Sequence, residues 1–269
     1  MAMLSTFAAK PVPELKQAIL MTYYGTLDDS ARVVSFDALT RRVREAFPDR
    51  EVREAYTSRS TANAMRRRLG KPHLLLPAAM AQLEQDGYNS VIVVTTEMME
   101  GKTLRLMEQR LDTMRSQFFE VKLTTPLLYT ADDCRAVMER VIGAVGVQAD
   151  EQAVFVAHGK NGAADDVFCL ADYILQHEGH ANCHIGTVEG YPSLEMIKQI
   201  LRQQGTSKVV LAPLMVTCGG HSKRFVAGAW RQALEAEGYD VRVSLSGVLD
   251  YPEIQQLIID KIRQTDLRP

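Results

Sequence analysis

With 269 residues, 46% of them apolar and 24% charged, the chain can build a substantial core as one large domain or two small ones. A formal net charge of −2 excludes a long-range field that would recruit nucleic acid or an anionic membrane surface. The basic run Arg66-Arg67-Arg68 reads as a solvated helix face.

Residues 1–16 carry two prolines and no sustained apolar run, so they read as an N-terminal extension, too polar for a signal peptide and too short to span a membrane. An apolar run at 18–23 is the first strand, followed by a helical pattern at 35–46 and a second strand at 51–56. Helices are expected at 60–69 and 77–86, then a β-branched strand at 90–95, a long amphipathic helix at 102–118 and a strand beginning at 121. The second half repeats the plan, with strands at 152–157, 184–188, 208–216 and 241–245 and helices at 163–177, 192–204 and 222–237. Such alternation predicts an α/β fold of two similar lobes, each a parallel sheet flanked by helices, related by a pseudo-twofold axis. The lobes are drawn at 17–130 and 131–269, with the C-terminal helix free to pack on the first lobe. The internal match pairs residues 18–23 with 153–158 and residues 91–101 with 209–219, which sets His158 against Tyr23 and His221 against Thr103.

Two of the apolar strands run out into histidine. Residues 153–157 lead into His158-Gly159, and residues 209–216 lead through Thr217-Cys218-Gly219-Gly220 into His221. The strand at 183–188 ends in Glu189. In an open α/β sheet the ligand crevice lies beyond the carboxyl ends of the strands, so two imidazoles and a carboxylate delivered there suggest a metal or proton-transfer site. His177, His180, Cys183 and His184 tempt a zinc reading, but Gly179 interrupts them and no second ligand pair stands at finger spacing, so exposed loop residues are expected. His73 reads as structural. Met98, Met99 and Met215 read as core near the cleft.

The four cysteines form no CxxC pair, which fits a reducing, cytoplasmic setting. No phosphate loop, G-x-G-x-x-G turn or G-x-S-x-G elbow is present, so no nucleotide is expected and an α/β-hydrolase is disfavoured.

Taken in order, several segments carry a resemblance. They are AILMTYYGT (18–26), AYTS (55–58), Gly87-Tyr88, Pro126-Leu127-Leu128, VFVAHG (154–159), GTVEGYP (186–192), LAPLMVTCGGH (211–221) and Leu245-Ser246-Gly247. The chain resembles the anaerobic-type cobalt chelatases of the class II chelatase group, over about residues 17–262. The resemblance implies two α/β lobes around a cleft and ATP-independent insertion of Co²⁺, the substrate metal, into sirohydrochlorin, on the early-cobalt route to cobalamin. It implies that His158, Glu189 and His221 hold the metal and that His158 accepts a pyrrole proton. Tyr23, Glu97 and Met215 are weaker candidates for the tetrapyrrole surface. Lys102, Lys160, Lys223 and Arg224 are candidates for its carboxylates. The first lobe departs from the family, with Glu97 where histidine is common and Thr103 where an acid is common. Insertion of Fe²⁺ or Ni²⁺ into a related tetrapyrrole, and a non-catalytic haem- or metal-binding protein, stay open beside the cobalt reading. So does a homo-oligomer.

Overall fold

The computed structural model describes residues 14–70, 73–160 and 162–267, so most of the N-terminal extension lies outside the described residues. The strands are β1 (Gln17–Tyr23), β2 (Glu51–Tyr56), β3 (Ser90–Thr95), β4 (Glu120–Leu123), β5 (Gln152–Ala157), β6 (Cys183–Thr187), β7 (Lys208–Pro213) and β8 (Asp240–Val243). They form two four-stranded sheets, ordered β2-β1-β3-β4 and β6-β5-β7-β8, parallel throughout.

The first-half helices are α1 (Asp29–Arg32), α2 (Ala38–Ala46), α3 (Arg59–Leu69), α4 (Leu76–Gln85) and α5 (Lys102–Asp112). The rest are α6 (Ala131–Val145), α7 (Asp166–His177), α8 (Leu194–Gln204), α9 (Gly220–Ser222), α10 (Arg231–Glu235) and α11 (Pro252–Asp266). A π-helical stretch, Lys223–Trp230, joins α9 to α10. The expected helix at 102–118 is shorter than its pattern: α5 ends at Asp112, and the remainder is a 3₁₀ turn, Arg115–Gln117.

Both central strands of each sheet are buried on both faces, as crossover helices on either side require. One face of each sheet feeds a shared core. Ile19, Met21, Ile92 and Val94 meet residues of α6 and α11 there, and the same cluster takes in Ala153, Phe155, Val210 and Ala212. The opposite faces have cores of their own, one holding Leu20, Val91 and Val93, the other Val154, Val156 and Leu211. Helix α11 packs on α2, β3, β4 and α6, and Lys261 reaches Thr125 and Asp133.

The backbone hydrogen bonds state the internal repeat residue by residue. Leu127 N–H donates to Glu97 O and Leu128 N–H to Met98 O; in the second half Val248 N–H donates to Met215 O and Leu249 N–H to Val216 O. This supports the match of 91–101 with 209–219. The other match is one residue out. Ile19 pairs with Ile92, and Ala153 pairs with Val210, so Ile19, not Ala18, is equivalent to Ala153. His158 therefore corresponds to Tyr24, and Gly159 to Gly25; both glycines are left-handed, with φ of 70° and 100°. Because side chains alternate across a strand, a one-residue slip exchanges the inward and outward faces.

Candidate active site

His158 is the first residue beyond β5. Its orientation is set by the turn that follows. Gly159 adopts φ 70°, and a Cβ there would stand 2.8 Å from Thr187 Cβ and 3.1 Å from Gly190 N, so both the turn and its tight approach need glycine. The buried Asp165 accepts the Lys160 N–H at 2.8 Å, and Glu189 N–H donates to His158 O at 2.9 Å. Thus Glu189, one turn beyond β6, is tied to the backbone of His158.

His221 arrives from β7 in the single turn of α9. The Ser222 hydroxyl bonds Thr217 O at 3.0 Å and closes the loop that carries it. Phe225 meets the His221 ring edge-on at 4.7 Å.

The two imidazoles are nearly parallel, 5° between planes and 4.8 Å between centroids, and meet edge to edge through their Nε2 atoms, 2.9 Å apart. His158 Nδ1 is 2.8 Å from Gly159 O. A carbonyl only accepts, so Nδ1 carries the proton and His158 Nε2 holds the lone pair. His221 then donates from Nε2 to it. Burial pushes the His221 imidazole below its ordinary pKa, with the neighbouring His158 and Arg224 adding to the effect and Glu189 opposing it. That favours the neutral ring, the form that binds metal and accepts protons. Taking a metal–imidazole bond of about 2.1 Å, as for zinc, nitrogens 2.9 Å apart subtend about 90° at a shared ion. Adjacent positions of an octahedron have that angle.

Glu189 stands differently. Its carboxylate is 3.9 Å from His158 Nδ1, on the ring edge away from His221, and its side chain is 59% exposed. Among the described residues no group of three or more His, Cys, Asp or Glu stands close enough to hold a metal ion. The structure brings the two histidines into contact and leaves the carboxylate to their side.

Tyr23 is not at the cleft. Its ring is fully buried, stacked on Phe36 at 4.3 Å, and its hydroxyl is 2.8 Å from Thr40 Oγ1. This corrects the expectation that it touches substrate: the residue at the edge is Tyr24, half-exposed. The paired Tyr24-Gly25 and His158-Gly159 were the signal that could have found it. Met215 is buried, its sulfur 3.1 Å from the Ser222 hydroxyl, and belongs to the support of the His221 loop. Glu97 is half-buried; burial pushes its carboxyl up to about 7, with Lys160 opposing.

His184 and Cys183 are also corrected: neither is an exposed loop residue, for both are buried in β6. His73 stacks edge-on against Tyr56 at 5.1 Å. All four cysteines are free thiols. Lys223 pairs with Asp28 across the lobes at 2.9 Å, and Arg224 lies over the Phe225 ring. The lobes touch again beside Gly219, where a Cβ would stand 3.3 Å from Thr26 Oγ1. The two sheets' carboxyl edges therefore face one another. No described helix is long and apolar enough to cross a membrane.

The family model described as cobalt chelatase (CbiK) matches residues 17–266. A sirohydrochlorin cobaltochelatase of Salmonella typhimurium is 24% identical over 255 residues, covering 93% of this chain and 96% of that protein. The sirohydrochlorin cobaltochelatase CbiKC of Nitratidesulfovibrio vulgaris is 29% identical over 269 residues, covering 93% and 91%. Among solved structures, SirB from Bacillus subtilis with Fe³⁺ superposes with a TM-score of 0.70 at 14% identity, over 94% of this chain and 96% of that one. At that identity the likeness speaks to the fold.

Proposed function

The chain belongs to the cobalt chelatase (CbiK) family, and we propose that it inserts Co²⁺ into sirohydrochlorin without ATP, at the facing histidines His158 and His221. The observation that carries the reading is the Nε2–Nε2 approach of 2.9 Å at the carboxyl edge of the second sheet, within a chain matched over almost its whole length by that family.

Metallation requires a partly dehydrated ion at the ring face and removal of two pyrrole protons. Neutral imidazole suits both tasks, as a borderline ligand for Co²⁺ and as a base that titrates near neutrality. The Gly159 carbonyl fixes the His158 tautomer so that Nε2 is aimed away from the backbone and toward the cleft. His221, whose pKa is held below its ordinary value, is the second ligand once its Nε2 proton moves to Nδ1. Glu189 is exposed enough to swing toward a seated ion, and its negative charge offsets that of the incoming metal. A two-histidine site with one mobile carboxylate leaves coordination positions for water and then for pyrrole nitrogens. A closed four-ligand cage would retain the ion instead.

The test is an absorbance time course of sirohydrochlorin with Co²⁺ and no ATP. Wild-type protein accelerates formation of the cobalt complex, and His158→Ala/His221→Ala loses about 100-fold or more of that acceleration. Equal rates for the two proteins sink the assignment. Running Fe²⁺ and Ni²⁺ in parallel ranks the metals, which affinity order alone does not, since Ni²⁺ generally binds nitrogen sites more tightly than Co²⁺.

A further inference from the structure

The strand pairings place a counterpart of the histidine site in the first lobe. Carrying the registers across, His158 corresponds to Tyr24, Glu189 to Ser58 and His221 to Thr103. Backbone contacts repeat the equivalence: Thr57 N–H donates to Tyr23 O as Val188 N–H donates to Ala157 O. Tyr24, Ser58 and Thr103 all line one cavity of 240 Å³. Three positions that hold imidazoles and a carboxylate in the second lobe hold hydroxyls in the first. The same cavity is lined by three cations, Lys102 and Arg110 from α5 and Lys160 from the loop just after His158. None of the three is in an ion pair among the described residues, whereas Lys223 is neutralised by Asp28.

We propose that this cavity is an anion subsite that takes a carboxylate arm of the tetrapyrrole while the metal is delivered from the histidine pair opposite. The proposal rests on the chelatase reading. Hydroxyls and N–H cations donate to carboxylate oxygens, and neutral hydroxyls are weak ligands for Co²⁺ beside imidazole, so the two halves of the cleft divide the work. Lys160 joins them: its backbone continues from the metal-site turn while its side chain faces the first-lobe cavity. Sirohydrochlorin carries eight carboxylates, and holding one at a fixed distance from the histidines orients the macrocycle over the ion.

The experiment is a fluorescence titration of metal-free sirohydrochlorin, and of uroporphyrin as a second polycarboxylate, into wild type, Lys102→Gln/Lys160→Gln and Lys102→Arg/Lys160→Arg. Thermal midpoints serve as the check that each variant folds. The glutamine pair raises Kd about tenfold or more, and the arginine pair restores affinity within about twofold, as charge-assisted bonds require. The loss shrinks in added salt. Kd values equal to wild type in the glutamine pair overturn the subsite while leaving wild-type Co²⁺ insertion, measured alongside, to stand. If wild type inserts metal into no ring, the chelatase reading falls, and the uroporphyrin titration judges the cavity by itself. Weakened binding in the glutamine pair then supports an anion site, and unchanged or absent binding ends it.

Discussion

Gly247 holds the metal-site loop in place although it lies well outside it in sequence. A Cβ on this residue would stand 2.5 Å from Thr217 Cα and 2.7 Å from Cys218 N, both backbone atoms of the segment leading to His221. Neither atom can rotate away, so Gly247→Ala must displace the loop. The expected cost is about 1–3 kcal/mol, the range for overpacking, together with a loss of Co²⁺ affinity. Thermal unfolding and a Co²⁺ titration of the variant check both; an unchanged thermal midpoint with unchanged affinity contradicts the packing account. At this scale the sequence was informative where a polar residue ended an apolar run. His158 and His221 stood out for that reason. Gly247 stood out only within the Leu245-Ser246-Gly247 resemblance, because its contact is with residues about thirty positions away, which no local pattern encodes. The position of Glu189 beside Nδ1 of His158, away from the histidine pair, was equally invisible: it depends on a side-chain torsion.

Among the elements, the strands were readable and their register was not. Residues 18–23 and 153–157 are apolar at nearly every position because helices cover both faces. Without alternation, nothing in either run says which residues face the shared core, and matching by residue similarity slipped by one. The same double burial applies to His184, which opens the strand expected at 184–188 although its grouping with His177 and His180 points to an exposed residue. In β6 it is held by two glutamines: Gln176 donates to its Nδ1 at 3.2 Å, and its Nε2–H donates to Gln152 at 2.9 Å. Both ring nitrogens are satisfied only in the neutral form, and burial pushes the imidazole down to about 4. In the unfolded chain the same group titrates near its ordinary value of about 6.5. The unfolded state therefore binds the extra proton first, so this contribution is complete above about pH 6.5 and is lost as pH falls toward 4, up to about 3 kcal/mol in all. Urea midpoints taken near pH 7 and near pH 4.5 should fall further apart for wild type than for His184→Asn, even though the variant starts less stable. A difference as large in the variant assigns the acid sensitivity elsewhere.

For the molecule as a whole, the repeated strand order and hydrogen bonds make two edges of the same geometry, only one of which carries metal-binding side chains. The scaffold beneath them is common: a shared core runs through both sheets, and Lys223–Asp28 joins the two edges directly. If the edge geometry, more than the surrounding loops, brings His158 and His221 into contact, then the first lobe should do the same for histidines at the equivalent positions. These are Tyr24 and Thr103, which line one cavity. Tyr24→His/Thr103→His is expected to bind about one additional Co²⁺ per chain, with the first site unchanged, as read by calorimetry and by the d–d absorption of the bound ion. The aligned alternative, Tyr23→His/Thr103→His, puts the first imidazole into the core beside Phe36 and should destabilise the protein without adding a site. A second ion in the Tyr24 variant and none in the Tyr23 variant ties metal capture to strand-edge register. No second ion in either means that the turn after β5, with Gly159 packed on Thr187 and Asp165 holding Lys160, is what sets the histidine pair.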